Sequence, residues 1–471
     1  MSLRDPLDRQ PLAMRVDCHR RRTLRALALF AALAVLCAGC DWQMFGYGPE
    51  HTSFNSTETA ISVGNVAGLV QRYPPNDGNG CGIEVCSAPA VAKGSVYFGT
   101  ASGDLVASDA GTGNLQWSGH TGAAISSSPA VVDGVVYVGS DDSKLYAFDA
   151  AGTTNCSGSP KRCAPLWTAN FMDKVRSSPT VANGVVYVAI SGGVFAFSAA
   201  GTTNCSGSPK VCNPLWATTL ANVAVRTPAI ANGVLYVTGD YLYAYDAAGT
   251  INCSGTPKLC TPLWTGKPGT GTMHTPPAVA NGVVYVGAQT IGGPFLLAFS
   301  AAGITNCSGS PKVCESLWAG SLQGLSFNST PAIANGVVYI IGSLLAAFDA
   351  AGIKNCSPDI LGDQQCAPLW TVERPSDTYW WGSWSPAVAN GVVYVSYQLI
   401  SILDFNGYAR IEAFDAAGTT NCSGTPKTCS PLWSDVVGAR AGSFAEVSSP
   451  VVTNGAVYLN AGAIYKYAFS S

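Results

Sequence analysis

Close pairs of cysteines are the residues of this sequence whose spacing most directly suggests chemistry. Fourteen of the 17 cysteines fall into seven such pairs. Pairs of this kind can bind zinc, act as redox centres, attach haem or form disulfides. The pairs are Cys81 and Cys86, Cys156 and Cys163, Cys205 and Cys212, Cys253 and Cys260, Cys307 and Cys314, Cys356 and Cys366, and Cys422 and Cys429.

The spacing within the pairs argues against metal and redox sites. Zinc sites use cysteines about two to four residues apart, and thioredoxin-type and haem motifs need Cys-x-x-Cys. In five of the seven pairs, six residues separate the cysteines. The Gly and Pro between them favour a turn that one disulfide could close, which stabilises a fold by roughly 2–3 kcal/mol. We therefore predict structural disulfides and no metal site.

The first residues of the chain have the pattern of an export signal. Four arginines between residues 20 and 25 precede an apolar run, 26–36, that is shorter than the roughly 20 residues of a membrane-spanning helix. The sequence Cys37-Ala38-Gly39-Cys40 then resembles a lipobox, with Cys37 where Leu is usual. We predict a signal peptide over 1–39 and lipidation of Cys40, so that the protein is extracytoplasmic. Secretion or a periplasmic location without a lipid is the alternative, and the arginine run also resembles a twin-arginine signal.

Composition excludes one class of partner and favours short strands. The predicted leader holds seven Arg and three Asp, so the remaining chain has 25 − 7 = 18 basic and 28 − 3 = 25 acidic residues, a net charge of −7. No basic tract is left, which argues against nucleic-acid binding. Only 11% of the residues are charged, while 52 are Gly and 28 are Pro, as is typical of chains built from short strands and tight turns.

A second repeat shows which elements must carry the cysteine pairs. It reads Pro-(Ala/Thr/Val)-(Val/Ile)-x-x-Gly-x-(Val/Leu)-Tyr, and most copies lie about fifty residues apart, the spacing of propeller blades. Each copy predicts a Pro-led strand, an Asn-Gly or Asp-Gly turn, a strand like VVYV, a strand like LYAFD and a strand that includes a Trp. The copies begin at Pro89, Pro129, Pro179, Pro228, Pro277, Pro331, Pro386 and Pro450.

These repeats predict an all-β fold, an eight-bladed β-propeller of four-stranded blades. The last repeat lacks its fourth strand, and residues 69–73 could supply it, so that an N-terminal strand completes the last blade and no sheet edge is left loose. The predicted organisation is a signal peptide over 1–39, an N-terminal lead-in over 40–67 and the propeller over 68–471.

The residues also carry a family resemblance. The stretch ASDAGTGNLQW, residues 107–117, resembles the tryptophan-docking repeat of the PQQ-binding-like, or quinoprotein alcohol dehydrogenase-like, eight-bladed propellers. Residues 41–55, DWQMFGYGPEHTSFN, are similar to the lead-in of that family. The resemblance covers roughly residues 42–469 and implies the fold. It does not imply one activity, because this fold hosts dehydrogenases, outer-membrane assembly lipoproteins and sensor domains.

Strand direction sorts the predicted connections onto two faces of the ring. The cysteine connections and Asn-Gly turns share one face, and the loops before each Pro-led strand share the other. The resemblance implies that cofactor and substrate sites lie on the second face. Arg176, His274 and Asn328 lie three residues before a repeat Pro, and Arg226 lies two before. They could bind a ligand at the mouth of the central channel or hold channel water.

The seventh repeat is irregular on that same face. Trp380, Trp381 and Trp384 precede its Pro, and Tyr408 belongs to a long predicted loop, 396–410. Clustered aromatic side chains could bind a flat or sugar-like ligand or anchor a partner, or could pack on one another to order the insertion.

Dehydrogenases of the resembling family are expected to have an adjacent Cys-Cys disulfide, an Asp base, calcium ligands and a stacking Trp. This sequence has no adjacent cysteines, and Asp141, Asp142, Asp240 and Asp404 show no defined ligand spacing. We therefore expect a noncatalytic, lipid-anchored binding or scaffolding module of the cell envelope, without a cofactor and monomeric. Its partner would be an envelope protein or a small-molecule or sugar ligand. The alternative is an alcohol or sugar dehydrogenase with PQQ and calcium at the channel mouth.

Overall fold

The structure is a computed structural model, and almost all of its regular secondary structure is β-strand. A single turn of 3-10 helix, Val66–Gly68, precedes the first long strand. No helix of the described residues is long and apolar enough to cross a membrane. The predicted roles of residues 1–40, Cys81, Cys86, Asn328 and Asp404 lie outside the described part of the chain. The described residues are 41–73, 87–220, 226–269, 271–322, 329–342, 345–359, 362–372, 378–401, 407–437, 447–461 and 463–470.

Each Pro-led repeat folds as an antiparallel inner hairpin. In one copy Thr180 lies opposite Tyr187, and the turn residues Asn183 and Gly184 have φ of 50° and 75°, as a type I′ turn requires. The innermost strands are Ala90–Ala92, Ala130–Val132, Thr180–Ala182, Ala229–Ala231, Ala278–Ala280, Ala332–Ala334, Ala387–Ala389 and Val451–Thr453. The second strands are Ser95–Gly99, Val135–Ser140, Val185–Ile190, Val234–Thr238, Val283–Thr290, Val337–Ile341, Val392–Ser401 and Ala456–Asn460.

Two further strands complete the four-stranded unit of each sheet, and all neighbours within the unit are antiparallel. The third strands are Asp104–Asp109, Lys144–Asp149, Gly193–Ser198, Leu242–Asp246, Gly293–Ser300, Leu345–Asp349, Gly407–Asp415 and Ile464–Ala468. The outer strands are Leu115–His120, Trp167–Asn170, Trp216–Thr218, Trp264–Gly266, Trp318–Ser321, Trp370–Val372, Trp433–Val437 and Val70–Tyr73.

Six cysteine connections form two-stranded hairpins, each closed by a disulfide, which confirms six of the predicted pairs. Each hairpin extends the preceding sheet rather than its own. Cys163, for example, pairs in parallel with Gly119 of the sheet before it. The hairpin strands are Cys156–Ser157 with Arg162–Cys163, Cys205–Ser206 with Val211–Cys212, Cys253–Ser254 with Leu259–Cys260, Cys307–Ser308 with Val313–Cys314, Cys356–Pro358 with Gln364–Cys366, and Cys422–Ser423 with Thr428–Cys429.

The prediction of an all-β propeller is confirmed, but the prediction of eight four-stranded blades is wrong. In the described residues the ring consists of seven blades of six or seven strands and a four-stranded closing sheet made by both chain ends. We number the blades 1 to 7 from Ala90 onward. Cysteine hairpins extend blades 1 to 6, and Gly271–Met273 adds a seventh strand to blade 5. Blade 7 gains Phe54–Asn55 and Thr378–Ser383 instead.

The sequence pattern missed these additions because most of the extra strands are two or three residues long. A run of two residues has no period that distinguishes a strand from a turn. The closing sheet pairs the two ends of the described chain, with Val70 opposite Ala468 and Gln71 opposite Tyr467. This pairing closes the ring between blade 7 and blade 1.

Tryptophans pack between neighbouring blades and hydrogen-bond across the interface. Trp117 is 1% exposed, and its indole Nε1–H donates to the carbonyl of Ala150 in blade 2 at 3.1 Å. Gly152 covers the ring with φ of +62°, and a Cβ there would lie 2.3 Å from Trp117 Cδ1. A glycine is required at this position for both reasons. The same contact recurs at Gly201, Gly249, Gly303, Gly352 and Gly418.

The N-terminal segment occupies the centre of the ring. Carbonyls of residues 43–53 accept hydrogen bonds from inner-strand N–H groups of five blades, including those of Val131, Ile230 and Val388 at 2.7–2.8 Å. Near both ends the segment is held by turns that join inner and second strands, where Lys93 N donates to Asp41 and Gly455 N donates to Glu58. We call the side with these turns and the cysteine hairpins the hairpin face, and the opposite side the loop face.

Candidate functional site

Hydroxyl groups link adjacent sheets around the loop face. The residue directly before a repeat Pro donates its N–H to the hydroxyl at the same position of the next sheet. These bonds join Ala88 to Ser128 at 3.1 Å, Ser128 to Ser178 at 3.0 Å, Ser178 to Thr227 at 3.1 Å, Thr330 to Ser385 at 3.1 Å and Ser385 to Ser449 at 2.9 Å. Because Pro restricts the residue before it to extended backbone, these N–H groups point sideways to the neighbouring sheet.

Pro276 interrupts this chain of hydroxyls in blade 5. A proline offers neither the N–H nor the hydroxyl that the neighbouring blades need. Thr330 of blade 6 is 1% exposed, and its Oγ1 has no hydrogen-bond partner among the described residues. On the other side of the interruption, the buried Nε of Arg226 in blade 4 is also without a partner among them. Unpaired polar groups of the described residues therefore lie on both sides of the interruption.

Arg226 and His274 lie close together beside this interruption. Arg226 N donates to Thr238 O at 3.2 Å, and His274 Nε2 lies 2.8 Å from Thr272 Oγ1. Burial lowers the pKa of the Arg226 guanidinium, and burial together with the charge of Arg226 lowers the pKa of His274. No ion pair of Arg226 exists among the described residues, and residues 221–225 and 270 include no Asp or Glu. A half-buried cation without a counter-ion favours an anionic ligand.

Arg176 has a different environment. Its guanidinium makes a bidentate salt bridge with Asp141 of blade 2, with Nε–Oδ1 at 3.0 Å and Nη2–Oδ2 at 2.7 Å. Lys174 Nζ lies 3.2 Å from the same carboxylate. The hydrogen bonds from Arg176 hold the pKa of Asp141 below its usual value despite partial burial. The charge of Arg176 is therefore neutralised, and this residue bridges blades 2 and 3.

The predicted aromatic loops of blade 7 are largely strands. Trp380 and Trp381 belong to Thr378–Ser383, which pairs with Val392–Ser401, and Tyr408 belongs to Gly407–Asp415. The side chains of these three residues lie outside the described part of the structure. Trp384 is partly buried against the core between blade 7 and the closing sheet, and its Nε1 has no partner among the described residues. The long loop prediction was wrong because β-branched and aromatic residues near 397–400 and 408–411 extend the hairpin.

Sequence reasoning missed a buried polar cluster in blade 7. Glu412 is 5% exposed, and its Oε1 lies 3.6 Å from Arg410 Nη1. Burial raises the pKa of the Glu412 carboxyl above its usual value. Arg410 and Glu412 alternate with apolar residues within a strand, and this charged alternation was the available signal. Gln398 Nε2 and Arg410 Nε lie in the same blade and are buried without a partner in the described part of the chain.

Unpaired polar atoms concentrate on the loop face. Of the ten buried side-chain N or O atoms without a partner in the described residues, all but Tyr394 Oη and Tyr467 Oη belong to residues at the loop-face ends of strands or in its loops. These atoms are Ser126 Oγ, Asp142 Oδ1, Arg226 Nε, Gln289 Oε1, Thr330 Oγ1, Trp384 Nε1, Gln398 Nε2 and Arg410 Nε. Such groups are satisfied by water or by a ligand.

A calcium ion with PQQ would need about six to eight oxygen ligands, several of them carboxylates. Among the described residues no three His, Cys, Asp or Glu side chains are grouped closely enough to hold a metal ion. On the loop face Asp141 and Glu412 are each paired with an arginine. The described residues therefore show no carboxylate-rich calcium site.

Comparisons with known proteins agree with this fold. A family model of PQQ-type repeats, described as outer membrane protein assembly factor BamB, matches residues 67–155. No curated protein matches the chain.

Solved propellers resemble the whole ring at low sequence identity. BamB from Moraxella catarrhalis is 12% identical with a TM-score of 0.51, covering 85% of this chain and 98% of its own. Quinohemoprotein alcohol dehydrogenase from Comamonas testosteroni is 13% identical with a TM-score of 0.57, covering 92% of this chain and 81% of its own. The computationally designed Ika8 protein is 12% identical with a TM-score of 0.58, covering 85% of this chain and 100% of its own. At these identities the likeness shows the fold alone.

Proposed function

We propose that this chain, whose residues 67–155 match a family model of PQQ-type repeats and whose fold resembles that of PQQ-like β-propellers, is a noncatalytic, extracytoplasmic binding module whose ligand site is the loop face around Arg226 and His274. One observation carries this proposal. Arg226 is a half-buried cation without a carboxylate partner among the described residues, beside the interruption at Pro276. The ligand class this favours is a small molecule or protein segment with a carboxylate or another anionic group.

The other charged groups of this face support binding rather than acid–base catalysis. Asp141 is held in a bidentate salt bridge, and Asp142 accepts hydrogen bonds from Tyr146 Oη and from Gly122 N at 3.0 Å. A general base needs a free lone pair within hydrogen-bond reach of its substrate. Both oxygens of Asp141 and Oδ2 of Asp142 are already occupied by groups of the protein itself, and Asp142 Oδ1 is buried.

A lipid on Cys40 would fix the orientation of the ring. Asp41, the next residue, is held at a turn of blade 1 on the hairpin face, where Lys93 N donates to its Oδ2 at 3.0 Å. With no spacer between anchor and ring, the hairpin face would lie against the membrane and the loop face would point away.

Six disulfides among the described residues are typical of an extracytoplasmic protein. Metabolic labelling with a radioactive fatty acid should label the wild type and not Cys40→Ala. Equal labelling of the two would contradict the anchor.

The alternative function is that of a PQQ-dependent alcohol or sugar dehydrogenase, which the PQQ-like propeller family that this sequence resembles also includes. The similarity to a quinohemoprotein alcohol dehydrogenase over 92% of the chain is what favours it. Purified protein should be titrated with PQQ and calcium while absorbance is followed, and then assayed for dye reduction with alcohols and sugars. We expect no substrate-dependent dye reduction. Tight PQQ binding with alcohol-dependent or sugar-dependent reduction would replace the binding proposal by the enzyme.

A further inference from the structure

The outer edges of blades 1 to 6 are covered by the chain itself. In five of them the residue after the docking tryptophan donates its N–H to a lysine carbonyl in the hairpin of the next blade. These bonds run from Ser118 to Lys161 at 3.1 Å, from Thr168 to Lys210 at 3.0 Å, from Ala217 to Lys258 at 2.9 Å, from Thr265 to Lys312 at 3.0 Å and from Thr371 to Lys427 at 3.0 Å. In blade 5 the pairing runs through Ala319 and Gln365.

Blade 7 has no such cover among the described residues. The next sheet is the closing sheet, whose third and outer strands come from opposite ends of the chain, so no cysteine hairpin connects them. Trp433–Val437 is therefore the last strand of its sheet in the described part of the structure. Ser434 occupies the position of Ser118 in blade 1, and no described residue pairs with the outer edge of its strand. An unpaired edge of this kind is a template for another strand.

Side chains along this edge also differ from those of the covered blades. Val436 is 44% exposed, and Trp433 is only partly buried, whereas Trp117 is 1% exposed. Asp435 lies two residues after the tryptophan, a position that is small and uncharged or apolar in blades 1 to 6. Asp435 has no salt-bridge partner among the described residues and keeps a negative charge beside the Tyr467 hydroxyl of the closing sheet, with which it interacts. An acidic group beside an exposed valine complements an extended segment with a basic and an apolar side chain.

We propose that the outer edge of Trp433–Val437 binds an extended, basic segment of a partner protein by strand addition. The segment would run parallel to the strand, and one of its backbone carbonyls would accept a hydrogen bond from the Ser434 N–H. Each lysine-bearing hairpin makes this bond to the blade before it. Val436 N already donates to Asp435 Oδ1 at 2.8 Å, so the pairing uses Ser434. This interface is separate from the ligand site around Arg226 and would add a protein partner to that function.

The protein's own hairpin provides a probe for this edge. A fluorescein-labelled, disulfide-closed peptide with the sequence of residues 420–431, TNCSGTPKTCSP, should bind the mature protein saturably in fluorescence anisotropy. Val436→Lys should weaken this binding at least tenfold, because a lysine on an edge strand opposes strand addition. Ser434→Pro should do the same by removing the N–H, and circular dichroism would show whether that variant folds. Val70→Lys is the matched control, because Val70 is also 44% exposed and also lies on a terminal strand.

Several results would overturn the proposal. These are an absence of saturable peptide binding, unchanged binding by Val436→Lys, or equal weakening by Val70→Lys. Slow hydrogen exchange at the Ser434 amide of the free protein would show that the chain covers its own edge. A concentration-dependent dimer abolished by Val436→Lys would assign the edge to a second copy instead. Ligand binding that depends on Arg226 should be the same in wild type and Val436→Lys, so the two sites are tested separately.

Discussion

The two faces of the ring use polar groups in opposite ways. On the hairpin face one solution recurs from blade to blade. Asp149 Oδ2 accepts the N–H groups of Thr153 and Thr154 at 2.8 and 2.7 Å, and Asp246 and Asp415 make the matching bonds in their own blades. On the loop face most of the described sheets place Ser or Thr two residues before the repeat Pro, but blade 4 has Arg226 and blade 7 has Trp384. Residues that repeat from blade to blade therefore mark the face that stabilises the ring, and residues that differ from the repeat mark the face available for ligand recognition.

The difference teaches where substitutions should affect stability and where they should affect binding. Polar groups of the hairpin face are satisfied within the chain, so a change there breaks contacts that hold blades together. On the loop face eight buried polar atoms of the described residues lack partners, so a change at those atoms removes few internal contacts. Four experiments, in order of expected effect, test this division.

The first experiment concerns the glycine that covers a docking tryptophan on the hairpin face. A Cβ at Gly249 would lie 2.1 Å from Trp216 Cδ1, and φ is +64°. We expect Gly249→Ala to lower the free energy of unfolding by about 3–4 kcal/mol in guanidinium titrations, because the indole must move out of its interface. Gly233→Ala is the control, with φ of +76° and no heavy atom within 4 Å of the new Cβ, and should cost about 1 kcal/mol. Equal losses would show that backbone strain, not tryptophan docking, sets the requirement.

Much of the difference between the two faces could be predicted from the sequence, because the repeats show which elements recur from blade to blade. The prolines, the Asn-Gly turns and the tryptophans predict the strands of the four-stranded unit, and six cysteine pairs are the disulfides expected. The pairing of Val70 with Ala468 also followed from the missing strand of the last repeat.

The remaining features depend on three-dimensional contacts that no local pattern encodes. Whether Cys163 pairs with its own sheet or with Gly119 of the preceding one is a matter of loop geometry, not of spacing. Arg176 and Arg226 look alike in the aligned loops, yet Asp141, 35 residues before Arg176, neutralises one and nothing described neutralises the other. Glu412 was overlooked because the sequence pattern predicts a loop over 396–410, which hides the alternation of Arg410 and Glu412 with apolar residues in one strand.

The second experiment concerns His51, which lies between the faces at the centre of the ring. It is 0% exposed, and its ring nitrogens lie 3.2 Å from Pro277 O and 3.3 Å from Thr180 Oγ1. Burial lowers the pKa of His51 from 6.5 to about 4. The unfolded chain therefore binds a proton between these values that the folded protein does not. The stability from neutral His51 is present above pH 6.5 and is lost as the pH falls towards 4, by about 2–3 kcal/mol.

This pH effect is measured as a difference between variants. Unfolding by urea is measured for wild type and His51→Asn at pH 7.5 and 4.5, and the difference between the two proteins cancels the contribution of the carboxylates that they share. Asn is suitable at this position because it tolerates the positive φ of 58°. We expect a shallower loss of stability on acidification in His51→Asn. Identical pH slopes for wild type and His51→Asn would mean that His51 does not titrate in this window.

The third experiment removes one disulfide of the hairpin face. Replacing Cys205 and Cys212 by Ala should lower the free energy of unfolding by about 2 kcal/mol, since the disulfide closes a short loop. Because this hairpin covers blade 2, hydrogen exchange at the Thr168 amide, which donates to Lys210 O, should accelerate. The Thr265 amide, covered by the hairpin of Cys307 and Cys314, is the internal control and should be unchanged. Acceleration at both amides would indicate that the hairpins stabilise the ring as a whole rather than one edge each.

The fourth experiment carries the smallest expected free-energy change and addresses the loop face. Arg226→Ala removes a cation that has no ion-pair partner among the described residues, so stability should change by less than about 1 kcal/mol. Binding of small carboxylates and sugar acids, measured by isothermal titration calorimetry at low salt, should weaken at least tenfold. Arg176→Ala is the matched control, because it deletes the same charge from a residue already neutralised by Asp141. It should lower stability through the loss of the bridge between blades 2 and 3 and leave carboxylate binding nearly unchanged. If instead Arg176→Ala abolished binding and Arg226→Ala did not, the ligand site would belong to blades 2 and 3, and the interruption at Pro276 would serve only to hold water.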